Sequence, residues 1–293
     1  MTINPELRYS RRRATVLGSS VAYVDVGTGD PMVFLHGNPT SAFLWRNVLP
    51  YLAQHSRCVA PDLIGMGESD KLWPSGRGSY RMSDHSLYLS ALFALLGIER
   101  DVTFVVHEWG AALALDWAAR NQGEVRAIAF MEAILRPLSW AEWPEATRRL
   151  VADLRSERGE ELALHDNAVV EQYLPSLVLR QLAQLEMAAY RAPFALPGEA
   201  RRPTLSFFRD IPLREEGGET VELVEQGARW LEKSTIPKLF IRGEPGYLLT
   251  GGEVDFCRSL SETKELTVEG LHYLPEDSPL KIAAGLIDWY RSL

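Results

Sequence analysis

The sequence predicts an α/β architecture: a mostly parallel sheet with helices on both faces and a helical segment over one sheet edge. Three observations carry this. Short, almost wholly apolar runs such as MVFLH (32–36) and VTFVV (102–106) have the look of strands buried on both faces. Helical stretches alternate with them, which implies right-handed crossovers and parallel pairing. The alternation stops between 134 and 215 and then resumes.

In chain order, VAYVDV (21–26) reads as a strand, and GTGD (27–30) has the Gly/Asp chemistry of a hairpin turn leading into the strand 32–36. That opening hairpin is expected to add an antiparallel edge. A helix follows near 42–54, a strand at 57–60 (RCVA), a helix near 83–97 and the strand 102–106. A helix at 109–121 and a strand at 125–131 (VRAIAFM) complete the first half. The segment 134–215 is rich in Glu, Arg, Leu and Ala, and prolines at 137, 144, 174, 193, 197, 203 and 212 divide it into short helices. Beyond it come a helix near 220–233, a strand at 238–242 (KLFIR), a helix near 252–260, a strand at 264–268 (KELTV) and a closing helix at 279–292. The domain organisation is therefore a core of 1–133 and 216–293 with an inserted helical cap at 134–215. A cap in that place sits over the C-terminal edge of the strands, where open α/β sheets bind ligands.

Composition narrows the function. The 293 residues are 46% apolar with a net charge of −8, which argues against a protein that grips phosphate backbones. Cys58 and Cys257 form neither a disulfide framework nor a zinc pattern and read as small buried hydrophobes. No run reaches the roughly 18 apolar residues of a membrane span, and the N-terminal stretch lacks a secretory apolar core. A cytoplasmic location is expected. Arg11, Arg12 and Arg13 read as a solvated leader to the first strand rather than a binding patch, and GMGESD (65–70) as a structural loop that lacks the features of a phosphate loop.

The most informative turn is Val105-Val106-His107-Glu108-Trp109-Gly110. A strand, a sharp turn and a helix, with a functional side chain at the apex, describe a nucleophile elbow. Its apex is Glu108, which reads equally as a helix N-terminal carboxylate favouring the macrodipole. The Gly37-Asn38-Pro39 turn ends an apolar strand and can present the Asn38 N–H and amide to the same edge; ordinary strand-ending turns have the same composition. Glu132 ends the next strand, and His272 follows the last one after Gly270. A carboxylate nucleophile, a second carboxylate and a histidine base give the chain order nucleophile, acid, base. His36 and His107 read as makers of structural hydrogen bonds, and no spacing suggests a metal.

These residues carry a resemblance. Over nearly its whole length the chain resembles haloalkane dehalogenases of the α/β-hydrolase fold, most closely the branch acting on hexachlorocyclohexane-type and bulky substrates. The segments are HGNPTSAFLWRN (36–47), DLIGMGESDK (62–71), VVHEWGAALALDWAAR (105–120), FMEAILRP (130–137), GEARRPTLSFFRDIP (198–212), PKLFIRGEPG (237–246) and GLHYLPEDSP (270–279). The resemblance implies an eight-stranded sheet with the cap after the sixth strand, and a two-step hydrolysis through an ester on the elbow carboxylate. It implies Glu108 as nucleophile, Glu132 as acid, His272 as base, Asn38 and Trp109 as halide ligands, and the N–H groups of 38 and 109 as oxyanion hole. It places Trp143, Val169, Tyr173, Leu177 and Phe207 on the pocket wall, and likewise Phe208, Ile211, Tyr247, Leu248 and Tyr273. No cofactor is implied. The partners are a haloalkane and a halide ion, with no nucleic acid and no membrane, in a monomer or weak homo-oligomer.

One position departs from the family, which has Asp where this chain has Glu108. A further methylene moves the carboxylate by about 1.5 Å, and a misplacement of about 1 Å can lower a rate about 100-fold. Three readings stand: a nucleophile in a re-spaced site, a base directing water at an epoxide or ester, or a lesion in an intact scaffold. The wider alternatives are an epoxide hydrolase, which needs acidic cap tyrosines such as Tyr173 and Tyr190, and a catalytically silent ligand-binding relative.

Overall fold

The structure, a computed structural model, describes residues 3–143 and 145–293; Pro144, one of the prolines expected to divide the helical segment, lies outside the described residues. Its apolar runs become the strands of a single eight-stranded sheet. The strands are β1 (Arg12–Val16), β2 (Ser19–Val26), β3 (Pro31–Leu35), β4 (Arg57–Pro61), β5 (Val102–Glu108), β6 (Val125–Ala133), β7 (Lys238–Pro245) and β8 (Thr263–Gly270). They lie in the order β1-β2-β4-β3-β5-β6-β7-β8. From β4 to β8 every pairing is parallel. The side chains of Val33, Phe34, Phe104 and Val105 at the sheet centre are fully buried, as strands covered on both faces require. Helix Trp109–Arg120 packs against helices Met82–Leu96 and Glu219–Lys233, while helix Pro279–Arg291 packs on β7 and β8.

The first hairpin differs from the one expected. β2 does not pair with β3; it pairs antiparallel with β1 and with β4, which lies between β2 and β3. The hairpin turn is at Leu17-Gly18, and Gly27 instead sits against the Ser56 carbonyl, where a Cβ would come within 2.2 Å. β1 contains Arg12 and Arg13, so the basic run is part of an edge strand. Charged residues are well placed there because they discourage edge-to-edge pairing. Arg11 and Arg13 are also paired, Arg11 with Asp62 at 2.9 Å and Arg13 with Glu68 at 3.0 Å. The helix expected near 42–54 is two short turns, Ala42–Trp45 and Leu49–Leu52, the second starting at the proline-containing Leu49-Pro50.

Between β6 and β7 the described residues form no named strand. Helices Glu145–Arg155, Gln184–Arg191 and Arg202–Arg209 are joined by short turns, two of them π-helical (Glu160–His165 and Val169–Tyr173). This segment has its own apolar cluster around Val151, Leu154, Leu164, Val169, Leu205 and Phe208. It is tied to the sheet layer by Arg46, which is fully buried and contacts Glu186 of the segment and Glu276 beyond β8, each at 2.6 Å. Arg180 grips the same two carboxylates, and the Tyr190 hydroxyl donates to Glu276. Both cysteines are buried free thiols, and burial raises the pKa of each.

Candidate active site

At the end of β5 the register against β6 shifts between His107 and Glu108, and Glu108 takes φ 52° and ψ −119°. This left-handed conformation disfavours any residue with a Cβ, so the surrounding structure must hold it. Helix Trp109–Arg120 begins at once. It lies so close to β3 that a Cβ on Gly110 would stand 2.4 Å from the Leu35 carbonyl oxygen. Only glycine permits that approach.

The strained turn points the Glu108 carboxylate at the chain leaving β3. The Asn38 N–H donates to its Oε2 at 2.6 Å, and the Trp109 N–H donates to the same carboxylate. A Cβ on Gly37 would lie 1.9 Å from that oxygen. The longer glutamate therefore fits because residue 37 has no side chain. Burial pushes Glu108 up to about 8, against the pull of the two N–H donors.

Glu132, at φ 43° near the end of β6, is also buried, and its carboxyl is pushed up to about 7. Its Oε2 accepts the N–H groups of Leu248 at 2.5 Å and Tyr247 at 3.2 Å, both on the loop after β7. The same oxygen lies 3.3 Å from Nδ1 of His272. With Glu132 ionised the carboxylate can only accept from the ring, so in that state Nδ1 carries the proton and Nε2 the lone pair. That Nε2 is buried and has no protein partner. Burial lowers His272 to about 3, which keeps the imidazole neutral in the resting site. His107 fixes the loop by donating from Nε2 to the His272 carbonyl at 2.9 Å. His36 likewise makes structural bonds, accepting the Leu63 N–H at 3.0 Å.

The Asn38 amide donates one N–H to the Thr204 carbonyl at 3.0 Å, which fixes its orientation and leaves its second N–H. Trp109 is buried with its ring 5.2 Å from that of Phe207. Asn38, Glu108, Trp109 and His272 line one cavity, which offers about 50 Å³ to the centres of water molecules. Of the wall residues expected from sequence, Trp143, Tyr173, Phe207, Phe208, Ile211, Tyr247 and Leu248 line it too.

Three do not. Val169 packs into the apolar cluster of the helical segment. Leu177 is core, and its carbonyl accepts the N–H groups of His272 and Tyr273. Tyr273 turns behind the cavity, where its hydroxyl donates to the Asn38 carbonyl at 2.9 Å. Sequence reasoning missed Ile134, Leu138, Thr147 and Val151. Thr147 and Val151 follow Trp143 at four-residue steps, the spacing of one helix face, and that signal was available. Among the described residues, no group of three His, Cys, Asp or Glu side chains is placed to hold a metal, and no helix is long and apolar enough to cross a membrane.

Comparison with known proteins bears on the family and the fold. Residues 30–220 match the family model of the alpha/beta hydrolase fold. A haloalkane dehalogenase from Sphingobium indicum is 51% identical, over 95% of this chain and 94% of its own. The coelenterazine h 2-monooxygenase of Renilla reniformis is 39% identical over 95% of this chain and 90% of its own. The crystal structure of a haloalkane dehalogenase from Bradyrhizobium elkani superposes with a TM-score of 0.91 at 39% identity, covering 97% of this chain and 98% of that one.

Proposed function

The chain belongs to the haloalkane dehalogenase family of α/β-hydrolases, hydrolases of carbon–halogen bonds, and we propose that Glu108, Glu132 and His272 carry that reaction here. Asn38 and Trp109 are the halide ligands in this reading. Residues 1–133 and 216–293 serve as the core and 134–215 as the cap. The Asn38 N–H holds Oε2 of Glu108, and in this reading Oε1 displaces halide from carbon. The departing anion meets the second Asn38 amide N–H and the Trp109 indole N–H, both of which can only donate. The product of this step is an ester on residue 108.

Water then attacks the ester carbonyl while Nε2 of His272 takes its proton. The N–H groups of 38 and 109, already on that carboxyl, receive the oxyanion. Glu132 balances the imidazolium, and collapse of the intermediate frees the alcohol and restores the carboxylate. The sum is haloalkane plus water giving alcohol, halide and a proton. Glu108 on this account is the nucleophile in a re-spaced site. An epoxide-opening reading is weaker, because Tyr190 is committed to Glu276. Two unpaired buried thiols favour a cytoplasmic setting.

The observation that carries the proposal is the juxtaposition, in one cavity, of a carboxylate held by two N–H groups and an imidazole with an unpartnered Nε2. Intact-mass measurement of His272→Gln after incubation with 1-iodobutane tests it. An added butyl group mapping to residue 108 is expected. Absence of any adduct, in a folded variant whose parent releases iodide, would refute the nucleophile.

A further inference from the structure

The cavity wall carries a set of polar groups that the two-step hydrolysis does not use. Tyr173 and Thr147 come from the helical segment and Tyr247 from the loop after β7, and all three line the cavity. The Tyr247 hydroxyl donates to Oγ1 of Thr147 at 3.1 Å. The Tyr173 hydroxyl interacts with that of Tyr247 and feels the Glu108 carboxylate.

The direction of these bonds matters. A hydroxyl has one proton to give. Tyr247 gives its proton to Thr147, so the Tyr247 oxygen is open to receive from Tyr173, and among the described residues the Thr147 proton has no acceptor. The chain Tyr173 to Tyr247 to Thr147 therefore ends in an unpaired donor, and the other lining residues contributed by 134–215 are aromatic or aliphatic. Neither Lys nor Arg lines this cavity, so a neutral acceptor suits it better than an anion. A donor facing an apolar cavity without a partner is unfavourable, and a ligand oxygen that satisfies it is preferred over a methylene of the same size.

We propose that Thr147, backed by Tyr247 and Tyr173, forms a subsite for a neutral oxygen acceptor. The substrates favoured are then haloalkanes that carry an ether or hydroxyl oxygen a few atoms from the halogen. This rests on the dehalogenase reading for its reaction but not for its binding, and the two can be tested apart. The Tyr247 ring also packs edge-on to His272 with centroids 5.6 Å apart, so the subsite adjoins the base.

The experiment compares isosteres differing by one oxygen. Calorimetric affinities of the product alcohols 1-butanol and 2-methoxyethanol are measured on the parent and on Thr147→Val. Halide release from 1-bromobutane and 1-bromo-2-methoxyethane is measured alongside. An oxygen near the reacting carbon alters intrinsic reactivity, so the quantity read is the ether-to-alkane ratio in the parent divided by that in the variant. About a tenfold fall in the ratio is expected with Thr147→Val, in binding and in kcat/KM. Tyr247→Phe, which keeps the ring but breaks the chain, is expected to lower it less. A binding ratio unchanged within twofold in Thr147→Val overturns the subsite. Loss of the binding preference without any halide release from the parent would sink the dehalogenase reading and leave the subsite standing.

Discussion

The Tyr273 hydroxyl donates to the main-chain carbonyl of Asn38 at 2.9 Å, joining two loops 235 positions apart in sequence. One loop carries the base His272, and the other carries the N–H and amide groups of Asn38. The bond therefore fixes the halide and oxyanion donors relative to the base. Tyr273→Phe keeps the ring packing and leaves a buried carbonyl unpaired, a cost of about 1–3 kcal/mol. The expected outcome is a kcat about tenfold lower with KM little changed, read by steady-state halide release. Stability in thermal melts should fall by a few degrees only.

Replacing Glu108 tests the reach of the nucleophile. Glu108→Gln removes the charge and should abolish halide release. Glu108→Asp draws the carboxylate back by about 1.5 Å and lets its free oxygen approach carbon in the geometry the family uses. An increase in kcat/KM of about tenfold or more is expected for Asp in single-turnover assays with 1,2-dibromoethane. A folded, inactive Asp variant would count heavily against the mechanism.

The pH profile follows from burial. Glu108 attacks as the anion, and burial pushes it up to about 8. Below that pH the free enzyme holds it protonated, so kcat/KM should rise about tenfold per unit toward pH 8 and level off above. His272, lowered to about 3, is already neutral over this range and adds no limb of its own. Measuring kcat/KM from pH 6 to 10 checks both points, and a flat profile would contradict the buried acid.

Much of this site was legible because it depends on chain order. Glu108, Glu132 and His272 each end or follow a strand at the same sheet edge, and parallel topology brings such positions together. What the sequence did not reveal depends on side-chain direction. Tyr273 follows the base directly, yet its backbone turns it behind the cavity. Val169 lies on a π-helical turn, where the usual helical spacing no longer indicates which face is inward. β1 was hidden because its arginines mask the alternation of an edge strand, and the sheet order that inserts β4 between β2 and β3 is set by tertiary pairing.

The Arg46 network should set how firmly the helical segment is held. Arg46→Met leaves Arg180 as the one cation paired with Glu186 and Glu276 among the described residues, and removing one partner from a buried ion cluster costs about 3–5 kcal/mol. Urea unfolding should show that loss. Glu186 lies within 180–190 and loses its pairing with Arg46, so proteolysis there is expected to quicken in the same variant.

Haloalkanes are alkylating agents, and an enzyme that gathers them exposes its own sulfur to attack. Thiolate is the reactive form of cysteine. Cys58 and Cys257 are both wholly covered, and burial pushes Cys58 up to about 12 and raises Cys257 as well, so almost no thiolate exists at neutral pH. Sealed inside the fold, the two sulfurs are shielded from self-poisoning. Resistance of the two cysteines to alkylation is thus a property of the interior rather than of the pocket.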